Sequence, residues 1–339
     1  MSQFLLDYGL FLLKAATVAV AVIAVIGFAA AQSRRESGDG LEVENLSRKY
    51  RDLAQTLKQA VLSRDDARKE AKAAKKRQKE RDKNPSGRPR TFVIDFKGDL
   101  KASAVPSLRE EVSAVLDVAT PEDQVVVRLE NYGGVVHEHG LAASQLVRIR
   151  AAGIPLAVCV DKVAASGGYL MACVADRIFA APFAILGSIG VLAQMPNFHR
   201  LLGEKGIDFE QISAGRYKRT VTMFGENTDE DRAKLKEELE DVHTLFKNTV
   251  ATYRPDLDLE AVATGEHWYG TRALELKLAD ELRTSDEYLH ELAKERDLYQ
   301  VTYKVKQPLQ KRLIASIDSA VERAAAARWR ELIESRLPR

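Results

Sequence analysis

The chain has 339 residues, 45% of them hydrophobic, and a net charge of only +2. This length exceeds one average domain without requiring two cores, and the charge excludes a protein that is basic as a whole. Cys159 and Cys173 lie in apolar runs, which indicates small buried side chains rather than a disulfide scaffold. His137 and His139 lack partners at a metal-ligand spacing and are expected on the surface at the start of a helix. The alternative is that they approach an active site, because they follow the Gly133-Gly134 loop.

The first predicted element is a strongly apolar helix at residues 4–31. Its apolar core is about twenty residues long, which is the length that crosses a bilayer, and Lys14 can extend its amine outward. A cleaved signal peptide is the alternative, because residues 29–31 are all alanine. Asp7 and the scarcity of positive charge before Lys14 favour instead a retained anchor at residues 1–33.

A basic segment follows at residues 34–90 and is predicted to form a helical stalk. It holds sixteen Lys or Arg residues between Arg48 and Arg90, with leucine and alanine at helical spacing. The stalk can be a solvated helix or a surface for anionic lipid head groups. Nucleic acid is disfavoured because no aromatic residue interleaves with the charge from Arg51 to Arg90. The positive charge after the anchor favours a cytoplasmic catalytic domain, although large domains override that rule and the side stays open.

From residue 91 the pattern changes to short β-rich runs that alternate with helices. Residues 91–300 are therefore predicted to form one α/β catalytic domain, with its active groups on loops after the strands. Pro85 and Pro89 mark the boundary with the stalk. The remaining residues, 301–339, are predicted to form a helical tail that packs on the same domain, on a partner subunit or on a membrane.

The most informative motif is Lys-Val-Ala-Ala-Ser-Gly-Gly-Tyr at residues 162–169. Ser166 lies there between an apolar strand run and a helical pattern, and its small neighbours leave room for a substrate backbone. The amide of Gly167 is then free to face an oxygen that becomes negative during the reaction. A second glycine pair, Gly133-Gly134, follows another apolar run and can supply a second donor.

A serine hydroxyl needs a base before it can act as a nucleophile at neutral pH. Lys218, in the motif Gly-Arg-Tyr-Lys about fifty residues after Ser166, is the candidate base, since a buried lysine can present a neutral amine. The alternative is a surface lysine in a basic loop, and composition alone favours it because Arg216 and Arg219 flank Lys218. Ser188, in the motif Gly-Ser-Ile-Gly, can hold that amine in place. Lys162 is a rival base, but it is expected to end a strand in solvent.

These motifs, in this order and spacing, resemble the signal peptide peptidase A family of serine peptidases, and especially its SohB-like branch. The resemblance covers residues 91–286 by motif and the remainder by architecture. It implies a ClpP/crotonase-like spiral α/β fold, a single-pass anchor in the bacterial inner (plasma) membrane, and a homo-oligomer that encloses its active sites. The implied substrates are signal peptide remnants and other membrane-associated or unfolded polypeptides, and no cofactor is implied.

The resemblance also assigns the site residues. It implies that Ser166 is the nucleophile, that Lys218 is the general base, and that Ser188 orients this lysine. The amides of Gly134 and Gly167 would form the oxyanion hole.

One motif departs from the family pattern, in which Ser-Pro usually precedes the first glycine pair. Here the residues are Asn131 and Tyr132. Losing the proline removes a constraint on φ and adds a backbone N–H, so the loop is expected to be more mobile. Tyr132 is expected to narrow the substrate groove.

Two other functions stay open at this point. A crotonase-type acyl-CoA enzyme could share the fold and the two-amide oxyanion hole, and it would keep its turnover after Ser166→Ala. A non-catalytic, membrane-tethered ring would bind peptides without cutting them.

Overall fold

The computed structural model describes residues 40–83 and 88–305, together with five single positions before residue 40. Leu41–Thr302 form one compact unit, which contains the candidate site. Nearly all of the predicted anchor and of the predicted tail lies outside the described residues. Within the described part of the chain, no helix combines the length and apolarity that a bilayer-spanning segment needs.

The strands are β1 (Gly40–Asn45), β2 (Arg90–Gly98), β3 (Gln124–Asn131), β4 (Leu156–Val160), β5 (Val163–Ala165), β6 (Arg177–Ala180), β7 (Ile185–Gly187), β8 (His267–Tyr269), β9 (Glu281–Leu282) and β10 (Asp297–Lys304). The helices are α1 (Leu46–Val61), α2 (Arg64–Lys83), α3 (Val105–Val118), α4 (Val136–Ala151), α5 (Gly167–Ala172), α6 (His199–Glu204), α7 (Asp229–Tyr253), α8 (Leu259–Val262), α9 (Gly270–Glu275) and α10 (Ser285–Glu295).

The ten described strands form one sheet in the order β1-β10-β2-β3-β4-β6-β9, and β5, β7 and β8 branch from it at β3. The pairings from β10 to β9 are parallel, and β7 and β8 pair antiparallel. Parallel neighbours need a crossover, which α3 supplies between β2 and β3 and α4 supplies between β3 and β4. The predicted α/β class with parallel pairing is confirmed.

The central strands are apolar on both faces because helices cover both sides of the sheet. Alternate residues of β2 illustrate the division: Ile94 and Phe96 pack in the larger core with α3, α4 and α5, whereas Val93 packs in the smaller core with α10. Cys159 and Cys173 are buried and free, as predicted. Burial raises the pKa of the Cys173 thiol to about 12, which keeps it protonated and inert.

The stalk region contains α1 and α2, and α1 is tied to the sheet at its first residues. Leu46 and Ser47 are buried, and the Ser47 hydroxyl accepts a hydrogen bond from the Leu298 amide at 2.9 Å. The Asn45 side chain caps the helix by accepting from the Arg48 amide at 2.8 Å. Most of the helix beyond this start is exposed.

Candidate active site

Ser166 lies at the sharp turn between β5 and α5. Its backbone has φ 53° and ψ −119°, a conformation that is strained for a residue with a side chain. Two hydrogen bonds hold it: its amide donates to the Gly187 carbonyl at 2.8 Å, and its carbonyl accepts from the Leu170 amide at 3.0 Å. This strand, turn and helix present the hydroxyl at the end of the sheet, which is the arrangement a nucleophilic serine requires.

Ser188 occupies the matching position on the neighbouring strand. In the parallel pair of β5 and β7, Ala165 lies opposite Gly187, so Ser166 and Ser188 follow partnered residues at the same end of the sheet. Ser188 also has φ 53°, and its amide donates to the Glu266 carbonyl at 2.6 Å. Strand pairing therefore brings the two predicted serines together although they are 22 positions apart in the chain.

The first glycine pair follows β3 and lies against this turn. A Cβ on Gly133, where φ is +85°, would come within 2.7 Å of the Ser166 Cβ and 2.9 Å of the Gly167 amide nitrogen. A Cβ on Gly134, where φ is +156°, would come within 2.7 Å of the Leu100 carbonyl carbon. Both positions require glycine, because conformation and contact each exclude a side chain.

The second glycine pair packs against the residues that flank the first. A Cβ on Gly167 would lie 2.5 Å from the Cγ of His139, and a Cβ on Gly168 would overlap the carbonyl oxygen of Asn131. The start of α5 can approach the first loop this closely only because it carries two glycines.

A buried pair of polar side chains, Asn131 and His139, lies between the two glycine loops. Asn131 Oδ1 accepts from the Gly133 amide at 2.8 Å and lies 3.2 Å from His139 Nε2, and His139 Nδ1 lies 2.9 Å from the Val135 carbonyl oxygen. Asn131 Nδ2 also contacts the sulfur of Met171 at 3.4 Å. Both side chains are inaccessible to solvent.

The structure corrects two sequence predictions about this region. The prediction that His139 is a surface histidine is wrong, because it faces Asn131 in the interior, whereas His137 is exposed. Tyr132 is 69% exposed and does not line the cleft beside Ser166, so it does not narrow the groove in this chain. The sequence shows an asparagine before Gly-Gly and a histidine eight positions later, but this spacing alone does not predict a buried pair.

A cleft of about 730 Å³ opens beside Ser166, and Gly134 and Gly167 line it as well. Its walls come from α4, α5 and α7 and are mostly apolar, with side chains that include Ala143, Val147, Leu170, Val174, Leu245 and Phe246. Such a cleft favours apolar side chains of a ligand that reaches the serine.

The two lysines that were predicted as candidate bases lie outside this cleft. Lys218 is exposed in the irregular stretch between α6 and α7, where its amide donates to the Gly215 carbonyl at 3.1 Å. Lys162 is also exposed, and its Nζ lies 3.2 Å from both carboxylate oxygens of Glu130. Within one chain the structure brings together Ser166, its glycine loops and Ser188, but not Lys218.

Comparison with known proteins identifies the family. The model of the peptidase family S49 N-terminal region matches residues 3–146, and the model of peptidase family S49 matches residues 148–299. The chain belongs to peptidase family S49. It is 44% identical to the probable protease SohB of Haemophilus influenzae over 92% of each chain. It is 53% identical to the probable protease SohB of Buchnera aphidicola from Acyrthosiphon pisum, over 68% of this chain and 69% of the relative.

A more distant S49 relative supports the SppA/SohB-like assignment. A protein of Enterococcus faecium that is named for signal peptide peptidase SppA is 29% identical over 52% of each chain. The two S49 models meet inside α4, so the first glycine pair falls in one and Ser166 in the other. Membership of a peptidase family disfavours both the acyl-CoA enzyme and the non-catalytic ring.

Proposed function

We propose that this S49 peptidase is a membrane-anchored serine endopeptidase in which Ser166 is the nucleophile and Lys218 the general base. The observation that carries the proposal is the position of Ser166, in a strained turn at an apolar cleft with a glycine loop on each side. Ser166 lines this cleft together with Gly134 and Gly167, and it is the residue of the turn that carries a hydroxyl.

The reaction follows the usual course of acyl transfer to a serine. The Ser166 hydroxyl attacks the carbonyl carbon of the peptide bond as the neutral amine of Lys218 takes its proton. The amides of Gly134 and Gly167 donate to the oxygen that becomes negative. The lysine then gives its proton to the leaving amine, and a water activated by the same lysine releases the acyl group. Ser188, beside Ser166 at the end of the sheet, accepts from the lysine amine and orients it.

A second copy of the chain completes the site, because Lys218 lies outside the cleft of its own chain. The stretch between α6 and α7 that carries Lys218 exposes several large apolar side chains, and Ile212 is 96% exposed. Contiguous exposed apolar surface usually lies at an interface. In the proposed homo-oligomer this stretch packs on a neighbouring copy and delivers Lys218 to the neighbour's Ser166.

The proposed substrates are unfolded or membrane-associated polypeptides, including signal peptide remnants. The apolar walls of the cleft support this class, because an extended apolar segment can place its side chains there while the backbone reaches Ser166. Anchoring in the bacterial inner membrane by residues 4–31 rests on the apolarity of that segment. The proposed ClpP/crotonase-like spiral is supported by the branch of β5, β7 and β8 from the main sheet.

Cleavage of casein by the full chain in detergent tests the proposal. Ser166→Ala and Lys218→Ala should each abolish cleavage, whereas Lys162→Ala should retain it, because Lys162 pairs with Glu130 away from the cleft. Cleavage that persists without Ser166 or Lys218 would refute the proposed dyad. If neither the wild type nor any variant cleaves casein, the non-catalytic peptide-binding ring becomes the better explanation.

A further inference from the structure

We infer that Asn131 and His139 are positioning residues that fix the two oxyanion amides relative to each other. The inference rests on the proposed function, since it concerns how the Gly134 and Gly167 amides are held for that reaction. Neither side chain is assigned a role by the motifs that identify the site.

Asn131 controls the first glycine loop. It is the last residue of β3, so the sheet fixes its backbone, and its Oδ1 accepts from the Gly133 amide at 2.8 Å. This bond turns the chain immediately after the strand and sets the orientation of the next peptide, which carries the Gly134 amide. The side chain thus supplies at this turn a restraint of the kind that a proline supplies through its ring.

His139 ties the far end of the same loop to its start. It lies in the first turn of α4, with one ring nitrogen 3.2 Å from Asn131 Oδ1 and the other 2.9 Å from the Val135 oxygen. Both partners are oxygen acceptors, so whichever nitrogen carries the proton, the ring donates to one end of the loop. The ring therefore holds one end of the loop by a hydrogen bond and the other by close packing.

The same two residues form the surface on which the second amide rests. The ring of His139 lies directly against Gly167, and the Asn131 backbone lies against Gly168. Asn131 Nδ2 adds a contact to Met171 on the same helix. A displacement of either side chain would therefore move the Gly134 amide and the Gly167 amide relative to each other.

A purely structural role explains the pair less well. Buried polar groups cost free energy unless they are hydrogen-bonded, and a pair that served packing alone could bond anywhere in the interior. The bonds of these two side chains instead go to the loop and helix that border Ser166. Oxyanion donors act by being fixed before the reaction, and a misplacement of 1 Å can cost about 100-fold in rate.

The experiment measures kcat and KM of the full chain in detergent for a fluorogenic peptide with apolar residues around the cut. His139→Leu and Asn131→Ala should each lower kcat by roughly 10- to 100-fold and change KM by less than about threefold, because an oxyanion contact forms only in the transition state. His139→Gln keeps a donor for Asn131 Oδ1 and should recover much of kcat. The double variant should be little worse than either single variant, since both disable one unit.

Gln145→Ala is the matched control. Gln145 is a buried carboxamide on the same helix as His139, and it bonds to Leu141 and Arg148, away from both glycine loops. The Gln145→Ala variant should lose about as much thermal stability as His139→Leu, and its kcat should stay within about twofold of the wild-type value. A His139→Leu variant that is folded and keeps wild-type kcat overturns the inference and leaves the proposed function intact. A Ser166→Ala variant that cuts as the wild type does overturns the proposed function, and this inference with it.

Discussion

The surroundings of Ser166 and those of Lys218 are built in opposite ways. The serine follows a buried strand, and its glycine loops are in contact with each other and with the interior. The lysine lies in a stretch with little regular structure and many exposed apolar side chains, including Ile212 and Phe209. One chain fixes the proposed nucleophile and the proposed oxyanion amides by its own packing, whereas the proposed base needs a further surface to hold it in place.

Mixing two inactive variants tests most directly whether Ser166 and Lys218 of one site come from different chains. Ser166→Ala and Lys218→Ala copies, unfolded and refolded together in equal amounts, should recover about one quarter of wild-type activity toward casein, because one site in four combines an intact serine with a neighbour's intact lysine. Each variant refolded alone should be inactive. A mixture that stays inactive while forming mixed oligomers would place the lysine and the serine in the same chain.

A substitution in the glycine loop should have the next largest effect. Gly134→Ala introduces a Cβ that overlaps the Leu100 backbone and a side chain at a φ of +156°, so the loop must move and carry the oxyanion amide with it. We expect a fall in kcat of roughly 100-fold or more in peptide hydrolysis. The same change at Gly140, where an added Cβ meets open space, is the control and should keep a folded protein.

A change at the opposite end of the sheet should affect stability and not chemistry. Burial opposes ionisation of Asp123, but hydrogen bonds from Arg90 and Thr120 prevail and lower the pKa of its carboxyl to about 2. The stabilisation is therefore present above the unfolded-state pKa near 4 and is lost as the pH falls toward 2. Asp123→Asn should lower the free energy of unfolding at pH 7 by roughly 2 kcal/mol in denaturant titrations, with kcat unchanged. Equal stability of the two proteins at pH 7 would contradict this.

The smallest effect is expected at Tyr132. Because its side chain is exposed and lies outside the cleft, Tyr132→Ala should change KM and kcat of peptide hydrolysis by less than about twofold. An increase in KM of tenfold would show that Tyr132 contacts the substrate after all, as the sequence had suggested.

Much of the fold was predictable because it depends on local patterns. The apolar run of β4, which is buried throughout, and the helix after Ser166 are both visible as short segments of the chain. The α/β class follows from their alternation. The positions of Asn131 and His139 were not predictable in the same way, since single polar residues next to a glycine pair are typical of an exposed loop.

The peptidase motifs and the α/β class could be read from the chain alone, because motifs and periodicity are local properties. Which of the motif residues meet depends on the tertiary structure. Parallel pairing of β5 and β7 brings Ser188 beside Ser166, and close packing at Gly133 and Gly167 joins two loops that are 34 positions apart. Burial of Asn131 and His139 between those loops also depends on contacts across the sheet, which no short segment specifies. The exposure of Lys218 likewise depends on tertiary contacts, because no other segment of the described part of the chain covers the apolar surface around it.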